Sequence, residues 1–178
     1  MNPHDPASDV VNEFIKALKK VFNPKDTVQP PLGRGSTRVR FFAGDGALPS
    51  FEPHGRGGPG CKEPLLWVRL ERRYRSRRKD FPAAFVGEGK CTTADVRPAL
   101  AIEIGVARCT DMDDQPNWSK LEEEAEIGLD DSWRIELALC MAETALTTPD
   151  RAVATDTIAP QGPEGGLIAW TGMAYVLF

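Results

Sequence analysis

Side chains able to do chemistry are few in this 178-residue sequence, and their spacing is poor for catalysis or metal binding. Paired carboxylates occur at Asp113/Asp114 and Asp130/Asp131. Such pairs can hold a divalent cation or share acid and base roles. Acids at the start of a helix are also stabilised by its dipole as plain solvated charge, and that second reading is the expectation here. The two histidines, His4 and His54, both sit in Pro/Gly-rich stretches that hold a catalytic base badly. Cys61, Cys91, Cys109 and Cys140 stand 30, 18 and 31 residues apart, without the close pairs of a zinc knuckle. They read as four unrelated thiols. The first residues lack the basic and apolar regions of a signal peptide, so a non-secreted chain without disulfides is expected. G-x-S-x-G, H-E-x-x-H, Walker and dinucleotide-turn motifs are missing. The expectation is a non-enzyme with no catalytic residue, metal or cofactor.

Glu103 is different. It lies on an alternating strand among alanines, where a carboxylate needs a partner. A basic side chain from a neighbouring strand or subunit is the expected one.

Charge distribution carries more information than any motif. The totals, 22 Lys+Arg against 26 Asp+Glu, give −4, and an acidic balance argues against a protein that coats nucleic acid. Residues 69–79, however, carry seven basic side chains against Glu71, a net +6. Residues 111–131 carry nine acids against Lys120, a net −8. The basic block (Arg72, Arg73, Arg75, Arg77, Arg78, Lys79) and the acidic one (Asp113, Asp114, Glu122, Glu123, Glu126, Asp130, Asp131) have three readings. They are two solvated patches, a basic hairpin arm for phosphates, or complementary surfaces that join copies head to tail.

The elements that would position these residues follow from periodicity. Residues 9–22 repeat apolar side chains at three- and four-residue steps (Val10, Phe14, Ala17, Leu18, Val21) and predict an amphipathic helix capped by Ser8 or Asp9. Strands are predicted over 37–43, 65–74 and 99–108. On the last, Leu100, Ile102, Ile104 and Val106 face a core. The opposite face (Ala101, Glu103, Gly105, Ala107) is small enough for another backbone or subunit to approach. Two helices follow, 117–127 with a Ser119/Glu122 capping box and 130–146, separated at Gly128. The second has Trp133, Leu137 and Met141 widening its buried stripe. The end, 167–178, is apolar on both faces and predicts a strand inserted in a sheet. Residues 44–63, with six Gly and three Pro, and 147–166 are expected to be loops. No apolar run reaches the length of a membrane span. The sum is a single α+β domain over 1–178, with 1–36 as N-terminal helix and connector. A mixed or antiparallel sheet carries the helices on one face.

Several segments together resemble a known group. "CKEPLLWVRLERRYRS…FP", "ALAIEIGVARC", the acidic helical stretch and "PQGPEGGLIAWTGMAYVLF" are similar to small head-to-tail connector proteins of tailed bacteriophages that infect actinobacteria, and most of all to the tail terminator family. The likeness covers residues 60–178. Related proteins often carry a cysteine directly after the Gly-Gly, where this chain has Leu167, a departure that argues against pairing for Cys140. The resemblance implies a non-enzymatic virion protein assembled in the host cytoplasm. Six subunits would form a ring that caps the tail tube, with partners in copies of itself, the major tail tube protein and a head-side connector. DNA would pass through the lumen without sequence preference, and no membrane is involved. The basic block would lie at an intersubunit or ring–ring contact. A head-closure or adaptor ring of the same junction, and a DNA-binding accessory protein using 69–79, are the alternatives.

Overall fold

The computed structural model describes residues 5–44, 63–88, 95–110, 115 and 117–178. The element order is α1 (Ala7–Val21), β1 (Val39–Ala43), β2 (Leu65–Arg77), β3 (Val96–Cys109), α2 (Trp118–Leu146), β4 (Ala152–Glu164) and β5 (Leu167–Leu177). The five strands form one sheet in the order β1-β2-β3-β5-β4. β1 runs parallel to β2, and the other neighbours are antiparallel. This is the expected α+β architecture, with β5 inserted between β3 and β4. No helix among the described residues is long and apolar enough to cross a membrane. The expected loop 44–63 falls almost wholly outside the described residues, as do Cys61, Cys91, His4, His54, Asp113 and Asp114.

Both helices pack on one face of the sheet. The α1 stripe of Val10, Phe14, Ala17, Leu18 and Val21 is buried as its spacing requires, against Leu66, Val68, Leu100, Ile102, Ile104 and Val106. Each large side chain removed from water there contributes roughly 1.5–3 kcal/mol. The helix start differs from expectation. Neither Ser8 nor Asp9 caps it; Pro6 occupies the cap position, and the Asp5 side chain accepts from the Ala7 N–H at 3.0 Å.

Four more expectations are corrected. The two helices are one, because nothing interrupts the backbone at Gly128. A mid-helix glycine costs about 1 kcal/mol, yet here it admits a neighbour: a Cβ would stand 3.1 Å from the Trp170 indole nitrogen. The cap of α2 is Asn117, whose side chain accepts from the Lys120 N–H, rather than a Ser119/Glu122 box. Its buried residues lie on one stripe; Trp133 is exposed and Glu136, Cys140 and Thr144 face outward, so the helix is not enclosed. Finally, most of 147–166 is strand β4. Its prolines are tolerated because β4 is an edge strand that, among the described residues, pairs only with β5, with register shifts at Thr155/Ile158 and Gln161/Glu164.

One irregularity in β2 sets the direction of the basic side chains. The register slips between Leu70 and Arg72, so Glu71 is an extra residue. Leu66, Val68 and Leu70 face the helices before it. After it Arg73 rather than Arg72 does so, opposite Leu100.

Candidate interface surfaces at two charged poles

The basic block is not a detached arm. Arg72 to Arg77 form the second half of β2, paired with Arg97–Ala101 and Val96 at the start of β3. Only Arg78 and Lys79 lie beyond the strand, in a turn that folds back on it. The Tyr74 hydroxyl donates to the Pro82 carbonyl at 3.0 Å and the Ser76 hydroxyl to the Ala83 carbonyl at 2.7 Å. The Phe85 N–H donates to the Arg75 carbonyl at 2.7 Å, and the Arg77 guanidinium stacks over the Phe85 ring.

Part of the basic charge is answered inside the chain. Arg73 meets Asp5 at 2.5 Å, the contact that the β2 slip makes possible, and Arg77 lies 3.6 Å from Asp95. Arg78 donates to the Pro149 carbonyl and keeps its full charge, while Arg72 sits 5.0 Å above the Tyr74 ring. Arg72, Arg75, Arg78 and Lys79 are exposed. Partly exposed pairs of this kind contribute about 0–1 kcal/mol each, so the pole is built to present charge rather than to hold the fold.

The acidic block divides in two. Glu122, Glu123 and Glu126 are exposed on the first turns of α2. Asp130 and Asp131 are not part of that surface, nor are they solvated helix-start charges. Asp131 is buried against Arg108, whose Nε and Nη2 donate to it at 2.5 and 2.8 Å. Asp130 pairs with Arg134 at 2.8 Å and accepts from the Leu32 N–H at 3.1 Å. Arg134 also donates to the carbonyls of Val21, Gln29 and Pro30, and Arg108 to those of Gly33 and Arg34. Two Arg–Asp pairs thus clasp the connector that follows α1. Burial pushes the Asp131 carboxyl above the usual aspartate range, with the Arg108 hydrogen bond pulling against it. In the same connector the backbone N–H groups of Gln29 and Val28 hold the Asp26 carboxyl below its usual range.

Glu103 has the partner it required. Arg69, from the neighbouring strand, donates to one carboxylate oxygen at 2.5 Å, and the Trp67 indole N–H donates to the other at 2.8 Å. The small face of β3 does not serve a second backbone. Trp67 lies over Gly105, filling the space that a Cβ would take, and packs with Ala107 and Ala169. The expectation of four free thiols also fails: Cys109 is disulfide-bonded, while Cys140 is free and exposed.

The strand register places the surviving charged surfaces at opposite ends. Arg77 is opposite Val96 and Leu65 opposite Ala107, so the basic turn lies at the start of β3. The first turns of α2 lie at its other end, where Thr110 donates to Glu124 at 2.6 Å. Fourteen residues of β3 span about 45 Å, too far for the two surfaces to meet within one chain.

Tyr74 and Tyr175, the chain's two tyrosines, stand near the basic pole on the helix-free face. Burial raises the Tyr74 phenol to about 12, with Arg72 pulling the other way; burial, then Asp156, raises Tyr175. A folded pKa above the ordinary 10.0 means that the stability contributed by the neutral phenol is complete below pH 10. It is lost as pH rises toward 12. Tyrosinate absorbance is therefore expected to stay low at pH 10 in the folded protein, and Tyr74→Phe should shrink the alkaline fall in stability. Normal ionisation near pH 10 would show that the Tyr74 ring is not buried in the folded protein.

Neither a known protein family nor any curated protein matches this sequence.

Proposed function

We propose that this chain is a non-enzymatic structural subunit of a ring at the head–tail junction of a tailed bacteriophage, most closely a tail terminator. One observation carries the reading: a single α+β domain presents basic and acidic surfaces at opposite ends of its sheet, suited to cyclic assembly of identical copies. The similarity of residues 60–178 to the connector proteins supplies the virion context. In that role the ring caps the tail tube and docks to the head-side connector, and DNA passes without sequence readout. Internal pairing of Arg69, Arg73 and Arg77 weighs against the DNA-binding accessory alternative, since only part of the block remains for phosphates.

Tagged full-length chain expressed with the phage structural genes tests the proposal. Co-purification with the major tail tube protein, and presence in purified virions at the junction, is the expected result. Association with head-side proteins alone would reassign it to a head-closure or adaptor ring. Absence from virions, with micromolar duplex binding that falls steeply with salt, would overturn the structural reading.

A further inference from the structure

The acidic pole is also apolar. Among the described residues the large hydrophobic side chains left exposed include Trp118 (71%), Leu129 (71%) and Trp133 (39%) on α2. At 3.6 residues per turn these three fall within about 60° of one another, with Glu122 inside that sector and Glu126 about 20° beyond it. Leu32 extends the patch from the connector, its N–H fixed on Asp130. A helix face that holds two exposed tryptophans and a leucine among carboxylates is unusual on a solitary surface. Aromatic side chains of this kind anchor protein interfaces.

The basic pole has the matching character. The turn 78–88 presents Arg78 and Lys79 beside Val86 (93% exposed), with Arg75 just before it. Asp80 and Glu88 are the turn's own acids. Each pole thus combines exposed apolar surface with charge, and the signs are opposite. Because the poles lie at opposite ends of β3, they cannot meet within one chain, and a second copy offers each a surface of the opposite sign.

We propose that the turn 78–88 of one subunit docks on the α2 face around Trp118, Leu129 and Trp133 of the next. Arg75, Arg78 and Lys79 then lie against Glu122, Glu123 and Glu126. This deepens the ring reading above and rests on it for closure. The contact joins different patches, so it is heterologous and propagates until rotation closes it.

Charge exchange tests it with the full chain. One variant reverses the acidic side (Glu122→Lys, Glu123→Lys, Glu126→Lys), and a second reverses the basic side (Arg75→Glu, Arg78→Glu, Lys79→Glu). Sedimentation is expected to show wild-type self-association that weakens with salt. Each variant alone should associate about a hundredfold more weakly. An equimolar mixture should regain association, because the unaltered turn of one variant then meets the unaltered α2 face of the other, and the two reversed surfaces are again opposite in sign. Far-ultraviolet dichroism and unfolding midpoints check that both variants fold. If the Arg78 change disturbs the Pro149 contact, Arg75→Glu with Lys79→Glu replaces the second variant. Leu129→Ser with Trp133→Ser should weaken association without changing its salt dependence. A wild-type chain that stays monomeric at millimolar concentration, or folded variants whose mixture does not associate, would overturn the docking. Virion incorporation in either of those cases would leave the junction role standing. Restored association without tail-tube co-purification would instead separate self-assembly from that role.

Discussion

Replacing Arg134 with Met is expected to destabilise the fold by about 3–5 kcal/mol, the usual cost of removing one partner from a buried ion pair. For a domain of this size that lowers Tm by roughly 6–20 °C. Arg134 is almost fully buried, and its guanidinium serves four acceptors: Asp130 and the carbonyls of Val21, Gln29 and Pro30. Methionine fills much of the volume, so the loss reads the polar contacts rather than a cavity. Buried acceptors left without a donor each cost about 1–3 kcal/mol, which is why Asp130→Asn is expected to cost less than Arg134→Met. Arg134→Lys keeps the charge but cannot supply the planar fork that reaches three carbonyls, so it should recover only a minor part. Urea unfolding measures the loss, and hydrogen exchange locates it in residues 22–34. A change below 1 kcal/mol would mean that the connector is held by something other than the clasp.

Legibility in the sequence followed the kind of force involved. Where one face is apolar and the other polar, periodicity sufficed: α1, the alternation of β3 and the insertion of β5 were all readable. Glu103 was readable too, because a carboxylate among alanines asks for a cation and its neighbour strand carries Arg69. The clasp was missed because adjacent acids look like helix-start charges. The available signal was positional: Asp131 and Arg134 fall on the same stripe as Ile135 and Ala138, where a charge must be paired. Gly128 and the prolines of β4 misled for a related reason. Local propensity marks them as breakers, whereas a tryptophan packed against α2 and an unpaired sheet edge make them acceptable. The charged poles were visible as blocks. Their separation was not, since it depends on antiparallel register and on α2 being one helix of 29 residues.

The second large effect belongs to Glu103, and its interest lies in an asymmetry. Glu103→Ala is expected to lose about 3–5 kcal/mol, because it removes the buried carboxylate that accepts from both the Arg69 guanidinium and the buried Trp67 indole N–H. Glu103→Gln should fall between this and wild type. Its amide oxygen can still accept from Trp67, but it offers no countercharge to Arg69. The double change Arg69→Met with Glu103→Leu removes both charges, and such replacements of a buried pair are often neutral or stabilising. Here the unanswered Trp67 N–H remains, at about 1–3 kcal/mol, so the double variant should lose less than Glu103→Ala alone. That ordering, measured by urea unfolding with unchanged m values, separates a carboxylate kept for pairing from one that merely fills space. If the losses of Arg69→Met and Glu103→Leu, each made alone, simply added in the double variant, the side chains would be energetically independent. The contact across β2 and β3 would then contribute nothing of its own.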